Sequence, residues 1–112
     1  MAEDKKAKQP TLPLTSVRAL TQVRLIAANT SLIRWTAHVR DQMCARDITD
    51  ADVLKILRTG DIEQEPIQGK NDGEWKVKVT RKLSVGRVAG VAAVLLPDGR
   101  LRLITAEWED HR

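Results

Sequence analysis

The stretch of sequence that decides the fold is residues 34–57, RWTAHVRDQMCARDITDADVLKIL. Trp35, Val39 and Met43 recur in it at intervals of four residues, the spacing of one apolar face of an α-helix. Thr36 is a residue type that accepts a hydrogen bond from the free backbone N–H groups at a helix start. The pattern therefore predicts a helix of about ten residues, capped by Thr36, that buries this apolar stripe.

A clearer start signal follows in the segment ITDAD at residues 48–52. The Thr49 hydroxyl can accept from the third backbone N–H of a helix while the Asp52 carboxylate accepts from the backbone of Thr49, an aspartate version of the capping box. Gly60 ends the helix that this box opens. Two short helices with a tight joint at residues 46–48 are predicted, preceded by a less regular helix over residues 16–28.

Beyond Gly60 the apolar residues change from helical to alternating spacing, which is typical of strands. Pro66 marks the first strand as an edge strand, and KNDG at 70–73 predicts a hairpin turn. The predicted strands cover residues 62–68, 74–82, 87–96 and 101–108. The sequence therefore predicts an α+β fold, with two or three N-terminal helices packed on one face of a roughly four-stranded antiparallel sheet.

The chain of 112 residues is long enough for one modest core and too short for two. Residues 1–14 combine alternating charge with two prolines and lack apolar periodicity, so we expect a disordered segment there. A single domain is predicted over residues 15–108, followed by a C-terminal tail at 109–112.

Positive charge is concentrated in the strand half of the chain. The formal net charge is +4 and the sequence pI about 9.6. Between residues 76 and 102, seven Lys and Arg residues stand against one acid, Asp98. Such an excess is compatible with an anionic partner.

Several classes of protein and site are disfavoured. The single cysteine, Cys44, excludes an internal disulfide and is typical of a reducing cytoplasm, and without an apolar run of membrane length we expect no membrane association. His38, Cys44 and His111 do not form a metal-ligand set, and His111 lies in the predicted tail. No phosphate loop, dinucleotide fingerprint or hydrolase elbow is present, so no cofactor is predicted.

His38 and Arg46 are the candidate catalytic residues. His38 lies beside the predicted apolar stripe, at the boundary between core and solvent, where an imidazole can exchange a proton with a ribose 2′-hydroxyl or a leaving oxygen. The Arg46 guanidinium can stabilise charge that builds on a phosphorane. Structural roles remain open for both residues: His38 can donate to a carbonyl, and Arg46 can bond to the last carbonyls of its helix.

A cationic face of the sheet is the second candidate site. Lys76, Lys78 and Lys82 alternate with apolar residues and therefore share the outer side of one strand. Cations so placed can contact a nucleic-acid backbone, although lysines also keep a solvated sheet face soluble. The candidate nucleic-acid-binding residues are Lys76, Lys78, Arg81, Lys82, Arg87 and Arg102.

The pattern W-T-x-H-x7-R-x-I-T-x-x-D-V-L-x-I-L-x-x-G from Trp35 to Gly60, with a last strand that contains L-I-T-x-E-W, resembles a domain-of-unknown-function family grouped with the RelE and BrnT toxins of bacterial toxin–antitoxin pairs. The resemblance implies a RelE-like α+β fold, RNA cleavage without a metal, an association with RNA or the ribosome, and an antitoxin partner. This sequence contains no tyrosine, so any tyrosine role found in such toxins is absent.

Three hypotheses follow from these patterns. The first is a cytoplasmic RelE-like endoribonuclease that binds RNA on the cationic strands and cleaves it at His38 and Arg46. The second is a non-catalytic binding module for nucleic acid or an acidic protein, whose binding weakens with salt. In the third, His38 and Arg46 only stabilise the fold.

Overall fold

The computed structural model describes residues 14–109 as three helices and a five-stranded sheet. The helices are α1 (Ser16–Ala27), α2 (Ala37–Arg46) and α3 (Asp50–Thr59), and a short 3-10 turn lies at Thr30–Leu32. All three helices precede the long strands. The predicted α+β class is therefore confirmed.

The predicted N-terminal segment and C-terminal tail, the latter with His111, lie outside the described residues except at their inner ends. Leu14 packs against the core, and Glu109 forms an ion pair with Lys78. The packed domain thus includes one residue on each side of the predicted range 15–108.

The second and third helices begin at the threonines that the sequence indicated. Thr36 Oγ1 accepts from the Val39 backbone N–H at 3.1 Å. Thr49 Oγ1 accepts from the Asp52 N–H and Asp52 Oδ2 accepts from the Thr49 N–H, each at 3.0 Å, so the predicted capping box is confirmed. These caps fix where the chain leaves the sheet and where α3 starts.

The joint between α2 and α3 depends on one left-handed residue. Asp47 has φ 58° and ψ 44°, a conformation that aspartate tolerates better than most residues. It ends α2 and lets the Ile48 N–H bond to the Met43 carbonyl at 2.9 Å. Ile48 is thereby buried, and α3 starts two residues later at Asp50.

The sheet has the strand order β1-β5-β4-β3-β2. Its strands are β1 (Ile33–Arg34), β2 (Ile67–Gln68), β3 (Trp75–Lys82), β4 (Val88–Leu95) and β5 (Leu101–Trp108). The first strand pairs in parallel with β5, and all other pairs are antiparallel.

Strand number and direction differ from the prediction of a roughly four-stranded antiparallel sheet. The additional strand, β1, is only two residues long, and two residues are too few to show an alternating pattern. The edge strand expected over 62–68 is reduced to Ile67–Gln68, directly after Pro66, whose ring nitrogen cannot donate to a neighbouring strand.

The helices cover one face of the sheet and leave the other open. Val77 and Val79 of β3 are 3% and 0% exposed and join the core, whereas Lys76 and Lys82 on the alternate side are exposed. Ile56 and the other large apolar residues of α3 fill the space above β3 and β4. The fully buried large side chains are Val23, Val39, Val53, Ile56, Leu57, Val79, Val91, Leu101 and Leu103.

Helix α2 protects the edge of β5 beyond the short β1. The Thr36 hydroxyl donates to the Leu103 carbonyl at 3.1 Å, and the Ala106 N–H donates to Gln42 Oε1 at 2.9 Å. Arg46 Nη1 donates to the Ala106 carbonyl at 2.9 Å. Side chains of one helix thus replace the missing strand and block edge-to-edge pairing there.

Candidate nucleic-acid interface on the open sheet face

Cations on the open face form a row that crosses the strands. Arg34 of β1 is in register with Arg102 of β5, Arg102 with Val94 of β4, and Val94 with Lys76 of β3. Registered residues project to the same side of a sheet, so the three charged side chains share the open face. Lys76 and Arg102 were predicted from the sequence, but Arg34 was not, because a strand of two residues shows no alternating pattern.

A cleft of about 480 Å³ opens beside this row, between the start of α2, the turn after β2 and the long strands. Its lining combines positive charge with an apolar floor. It is formed by Thr36, His38, Gly69, Lys70, Glu74, Lys76, Val94, Arg102, Leu103 and Ile104. Ile104 is the extra residue of a β-bulge, because Leu103 pairs with Ala93 and Thr105 with Ala92.

His38 is exposed and lies on the open side, at the cleft wall. Its Nε2 atom is 3.0 Å from Gln42 Nε2. Because Gln42 Oε1 already accepts from the Ala106 N–H, the nitrogen that faces the ring is an amide donor. The neutral ring therefore presents its lone pair at Nε2 to Gln42 and carries its proton on Nδ1.

Glu74 is a buried carboxylate in the same cleft, and sequence analysis missed it. The residue is 7% exposed, Oε2 accepts from Asn71 Nδ2 at 3.0 Å, and Oε1 has no hydrogen-bond donor among the described residues. Oε1 lies 3.8 Å from Arg102 Nη2, an ion pair without a hydrogen bond. In the sequence Glu74 follows a turn and precedes a strand, a position at which an exposed Glu is ordinary, so no local signal indicates its burial.

Gly69 makes this placement of Glu74 feasible. A Cβ at position 69 would lie 2.8 Å from Glu74 Cβ and 3.2 Å from Oε1. The Gly69 N–H donates to the Glu74 carbonyl at 2.7 Å, which holds the two segments together. Gly69, just before the hairpin turn, therefore leaves the space in which the Glu74 carboxylate lies close to Arg102.

Lys78, the central lysine of β3, is neutralised by two carboxylates. Its Nζ lies 3.1 Å from Glu107 Oε2 and 2.8 Å from Glu109 Oε2. Burial lowers the pKa of Lys78, but the hydrogen bonds and charges of Glu109 and Glu107 together outweigh burial, so the pKa is raised above 10.5. The hydrogen bond from Lys78 is the main cause that lowers the pKa of Glu107 below 4.5. Lys78 is thus already paired.

Arg46 is not close to the His38 cleft. The two residues are eight positions apart on α2, about 12 Å along a helix axis. Arg46 Nη1 donates to Ala106, the Arg46 carbonyl accepts from Trp108 Nε1 at 2.8 Å, and its charge helps to lower the pKa of Glu107. The structure therefore does not bring the candidate catalytic pair together, and it gives Arg46 contacts that stabilise the edge of β5.

The remaining predicted cations are also dispersed. Arg81 lies on the helix-covered side of β3, where Nη1 donates to the Thr59 carbonyl at the end of α3 at 3.4 Å. The Arg87 guanidinium stacks on the Trp108 ring, 4.2 Å from its centroid. Lys82 is on the open face but six residues from Lys76, about 20 Å along a strand. Of the six predicted binding residues, only Lys76 and Arg102 line the cleft.

The cleft offers one imidazole and one carboxylate as metal-ligand types, His38 and Glu74. Within residues 14–109 no group of three His, Cys, Asp or Glu side chains is arranged to hold a metal ion. The same residues contain no helix with the length and apolarity needed to cross a bilayer.

Comparison with known proteins gives one family and no relative. No curated protein and no solved structure matches the chain. The model of a family described as a domain of unknown function, DUF4258, matches residues 35–108, which is more than half of the 112 residues and includes α2, α3 and all four strands after them. The chain therefore belongs to the DUF4258 family.

Proposed function

We propose that this domain is a RelE-like toxin that binds RNA in the cleft beside α2 and cleaves it without a metal ion. The observation that best supports the proposal is the presence of an exposed imidazole, His38, in the same cleft as Lys76 and Arg102. A phosphodiester that contacts all three has a proton acceptor beside the ribose and two cations beside the phosphate. These are the groups that cleavage by an internal nucleophile needs.

His38 acts as the general base in this proposal. The ribose 2′-hydroxyl gives its proton to Nε2, the 2′-oxygen forms a bond to phosphorus, and the bond from phosphorus to the 5′-oxygen breaks. The leaving oxygen takes a proton from water, so the products are a 2′,3′-cyclic phosphate and a 5′-hydroxyl. Because the Gln42 amide donates to Nε2 in the free protein, the 2′-hydroxyl must replace Gln42 as the donor to that atom.

Arg102 and Lys76 stabilise the negative charge of the transition state. The Arg102 side chain is 34% exposed and lies 3.8 Å from Glu74 Oε1, so its charge is only partly offset and remains available to a phosphate. Lys76 forms no ion pair within residues 14–109 and is available to a phosphate oxygen. The pair His38 and Arg46 predicted from the sequence is thus replaced by His38 with Arg102 and Lys76.

The proposal includes an antitoxin partner, because the sequence from about Leu32 to Trp108 resembles a family grouped with the RelE and BrnT toxins and this resemblance implies one. An acidic or apolar segment of such a partner can cover the cleft and contact the same cations. Messenger RNA, free or on the ribosome, is the target to which the resemblance points.

A cleavage assay tests the proposal directly. The purified protein is incubated with a single-stranded RNA in excess EDTA, and the products are resolved and their ends identified. We expect cyclic-phosphate and hydroxyl ends, and a rate about 10²- to 10⁴-fold lower for His38→Ala, the usual range for a lost general base. Because His38 is exposed, its removal should leave the melting temperature nearly unchanged.

Arg46→Gln is the matched comparison for His38→Ala. It should lower the melting temperature, through the lost bond to Ala106, more than it lowers cleavage per folded molecule. Equal cleavage by wild type and His38→Ala, or no cleavage of any RNA by the folded protein, would contradict the catalytic proposal.

The contact between Gln42 and His38 favours a second candidate, a non-catalytic binding module for RNA or an acidic protein. In that function the ring is held as a neutral donor through Nδ1, and Nε2 stays occupied. Gln42→Glu separates the candidates, because a carboxylate accepts from Nε2 and moves the proton to that atom. A ring-nitrogen NMR spectrum reports the change. Cleavage that depends on Nε2 falls by orders of magnitude, whereas simple binding loses only the few-fold that one added carboxylate costs.

A further inference from the structure

We infer that RNA occupies a second phosphate subsite at Arg34, so that the substrate is a single strand that crosses the strands of the sheet from β1 to β3. This inference rests on the proposed function for its ligand, RNA. It adds Arg34 as a binding residue and gives the direction of the RNA strand across the sheet.

Parallel pairing of the two-residue β1 creates the subsite. Arg34 lies beside Arg102 in the register, one strand spacing away, about 4.8 Å between backbones. Ile33, its neighbour, points to the core and is 6% exposed, which anchors the strand and directs Arg34 to the open face. The Arg34 side chain has no hydrogen bond or ion pair among residues 14–109.

A recess of about 280 Å³ surrounds Arg34. Its lining residues are Ser31, Leu32, Ile33, Arg34 and Arg100, with no carboxylate among them. Arg100 forms one weak ion pair, 3.9 Å from its Nε to Asp98 Oδ2, and the side chains of Arg100 and Asp98 are each more than half exposed. Two guanidinium groups in a recess without an acid are suited to an anion such as a phosphate.

The spacing of the cations suits more than one phosphate. Arg34 and Lys76 are separated by three strand intervals, about 14 Å between backbones, so side chains that stand off the sheet contact different phosphates. A chain that follows the row meets Arg34 and Arg100 first, then Arg102 beside His38, then Lys76.

Apolar surface beside the cations favours a single strand over a duplex. Val94, 4% exposed, lies in register between Arg102 and Lys76, and the half-buried Ile104 lines the same cleft two residues beyond Arg102 on β5. Unpaired bases can lie on such side chains, whereas a duplex keeps its bases stacked inside and presents only backbone.

Binding of non-cleavable 2′-O-methyl RNA of two lengths tests the inference. A dinucleotide with one phosphodiester can occupy only one of the two sites, which by the proposed function is the cleft of His38 and Arg102, and a five-nucleotide strand reaches both. We expect Arg34→Gln to weaken binding of the longer strand roughly tenfold and to reduce its salt slope by about 0.7, with little effect on the dinucleotide. Arg18→Gln, which removes the same charge from an exposed position on α1, is the matched control and should change neither.

Each outcome decides the inference separately from catalysis. Equal effects of Arg34→Gln and Arg18→Gln reduce the result to net charge and overturn it. An equal loss of affinity for the dinucleotide and the longer strand also overturns it. Poly-glutamate that binds as tightly as the longer RNA, and that depends on Arg34, overturns it too and points to an acidic protein. A length-dependent loss with no cleavage of ordinary RNA would support the subsite and contradict only the catalytic proposal.

Discussion

The two halves of the open sheet face carry similar residues and have different electrostatics. At one end, the cleft end, Lys76 and Arg102 line a cleft with His38, and the only acid in its lining is the buried Glu74. Two residues along β3, at the paired end, Lys78 lies between Glu107 and Glu109. The alternating lysines of β3 are equivalent in the sequence, yet only the first of these two remains available to an anion.

Cross-strand partners cause this difference. Glu107 is 29 residues from Lys78 in the chain. Its side chain reaches Lys78 across β4, the strand that lies between β5 and β3. Gly90 of β4 leaves room for that contact, since a Cβ there would lie 2.6 Å from Glu109 Oε2 and 2.9 Å from Lys78 Cε. Positive charge along one strand therefore does not define a binding surface until its neighbours are known.

The largest expected effect comes from removal of both cations at the cleft end. Lys76→Gln with Arg102→Gln should weaken binding of a single-stranded RNA roughly a hundredfold, about tenfold for each lost charged hydrogen bond. The salt slope should fall by about 1.4 in the same titration by fluorescence anisotropy.

Lys78→Gln is the matched control for that variant, because it removes a lysine from the same face of the same strand. We expect its RNA affinity to stay within about twofold of wild type, since Lys78 is already paired. An equal loss for Lys76→Gln and Lys78→Gln would show that the two ends do not differ in function.

Gly90→Ala should disrupt the paired end and leave the cleft end intact. The added methyl group clashes with Glu109 and Lys78, so the free energy of unfolding should fall by about 1–3 kcal/mol, as for other overpacked sites. Urea unfolding measures the change. Combination with Glu109→Ala should recover part of the loss, and a fully additive double variant would locate the strain elsewhere.

Glu74→Gln should strengthen the cleft end. An uncharged amide no longer offsets Arg102, so RNA affinity should rise about threefold, on the order of 0.7 kcal/mol for a partly exposed pair. Asn71 can still donate to the amide oxygen, which preserves the turn. Weaker binding would mean that Glu74 serves mainly to position Arg102.

The smallest effect is the pH dependence of the paired end. The pKa of Glu107 is lowered in the folded protein, so its contribution to stability is present above about 4.5 and is lost as the pH falls through the lowered value. The pKa of Lys78 is raised, so its contribution is present below 10.5 and is lost as the pH rises through the raised value.

Lys78→Met should remove both changes. The side chains of Lys78 and Glu107 are each 39% exposed, and solvent screening limits the effect to about 0.5 kcal/mol. Melting temperatures of the variant and wild type, measured from pH 3 to 11, should therefore differ at neutral pH and converge at both extremes. A constant difference at all pH values would assign the loss to packing of the lysine stem.

The helices were predictable because their determinants are local. The hydroxyls of Thr36 and Thr49 and the carboxylate of Asp52 bond to backbone groups within three residues, so neighbouring sequence specifies them. The long strands were predictable for the same reason, since alternation is a property of consecutive residues. The short β1 and the parallel pairing were not, because two residues carry no period and the partner lies 68 residues away.

The candidate site was predictable only in part. His38 was predicted at the boundary between core and solvent and is exposed at the cleft wall, and Lys76 and Arg102 were identified from charge. Its other members depend on contacts between distant segments: Glu74 is buried by the close approach of Gly69, and Arg34 is aligned with Arg102 by strand register.

The sequence by itself determined which residues form the helices and the long strands, which side of β3 is cationic, and that an imidazole lies in the first turn of α2. These properties follow from hydrogen bonds and periodicities that operate within a few residues. Only the tertiary structure decided which cations stay unpaired and which side chains share a cleft with His38. Carboxylates and strands far apart in the chain determine this, through Coulomb interactions and register that act between segments brought together by folding.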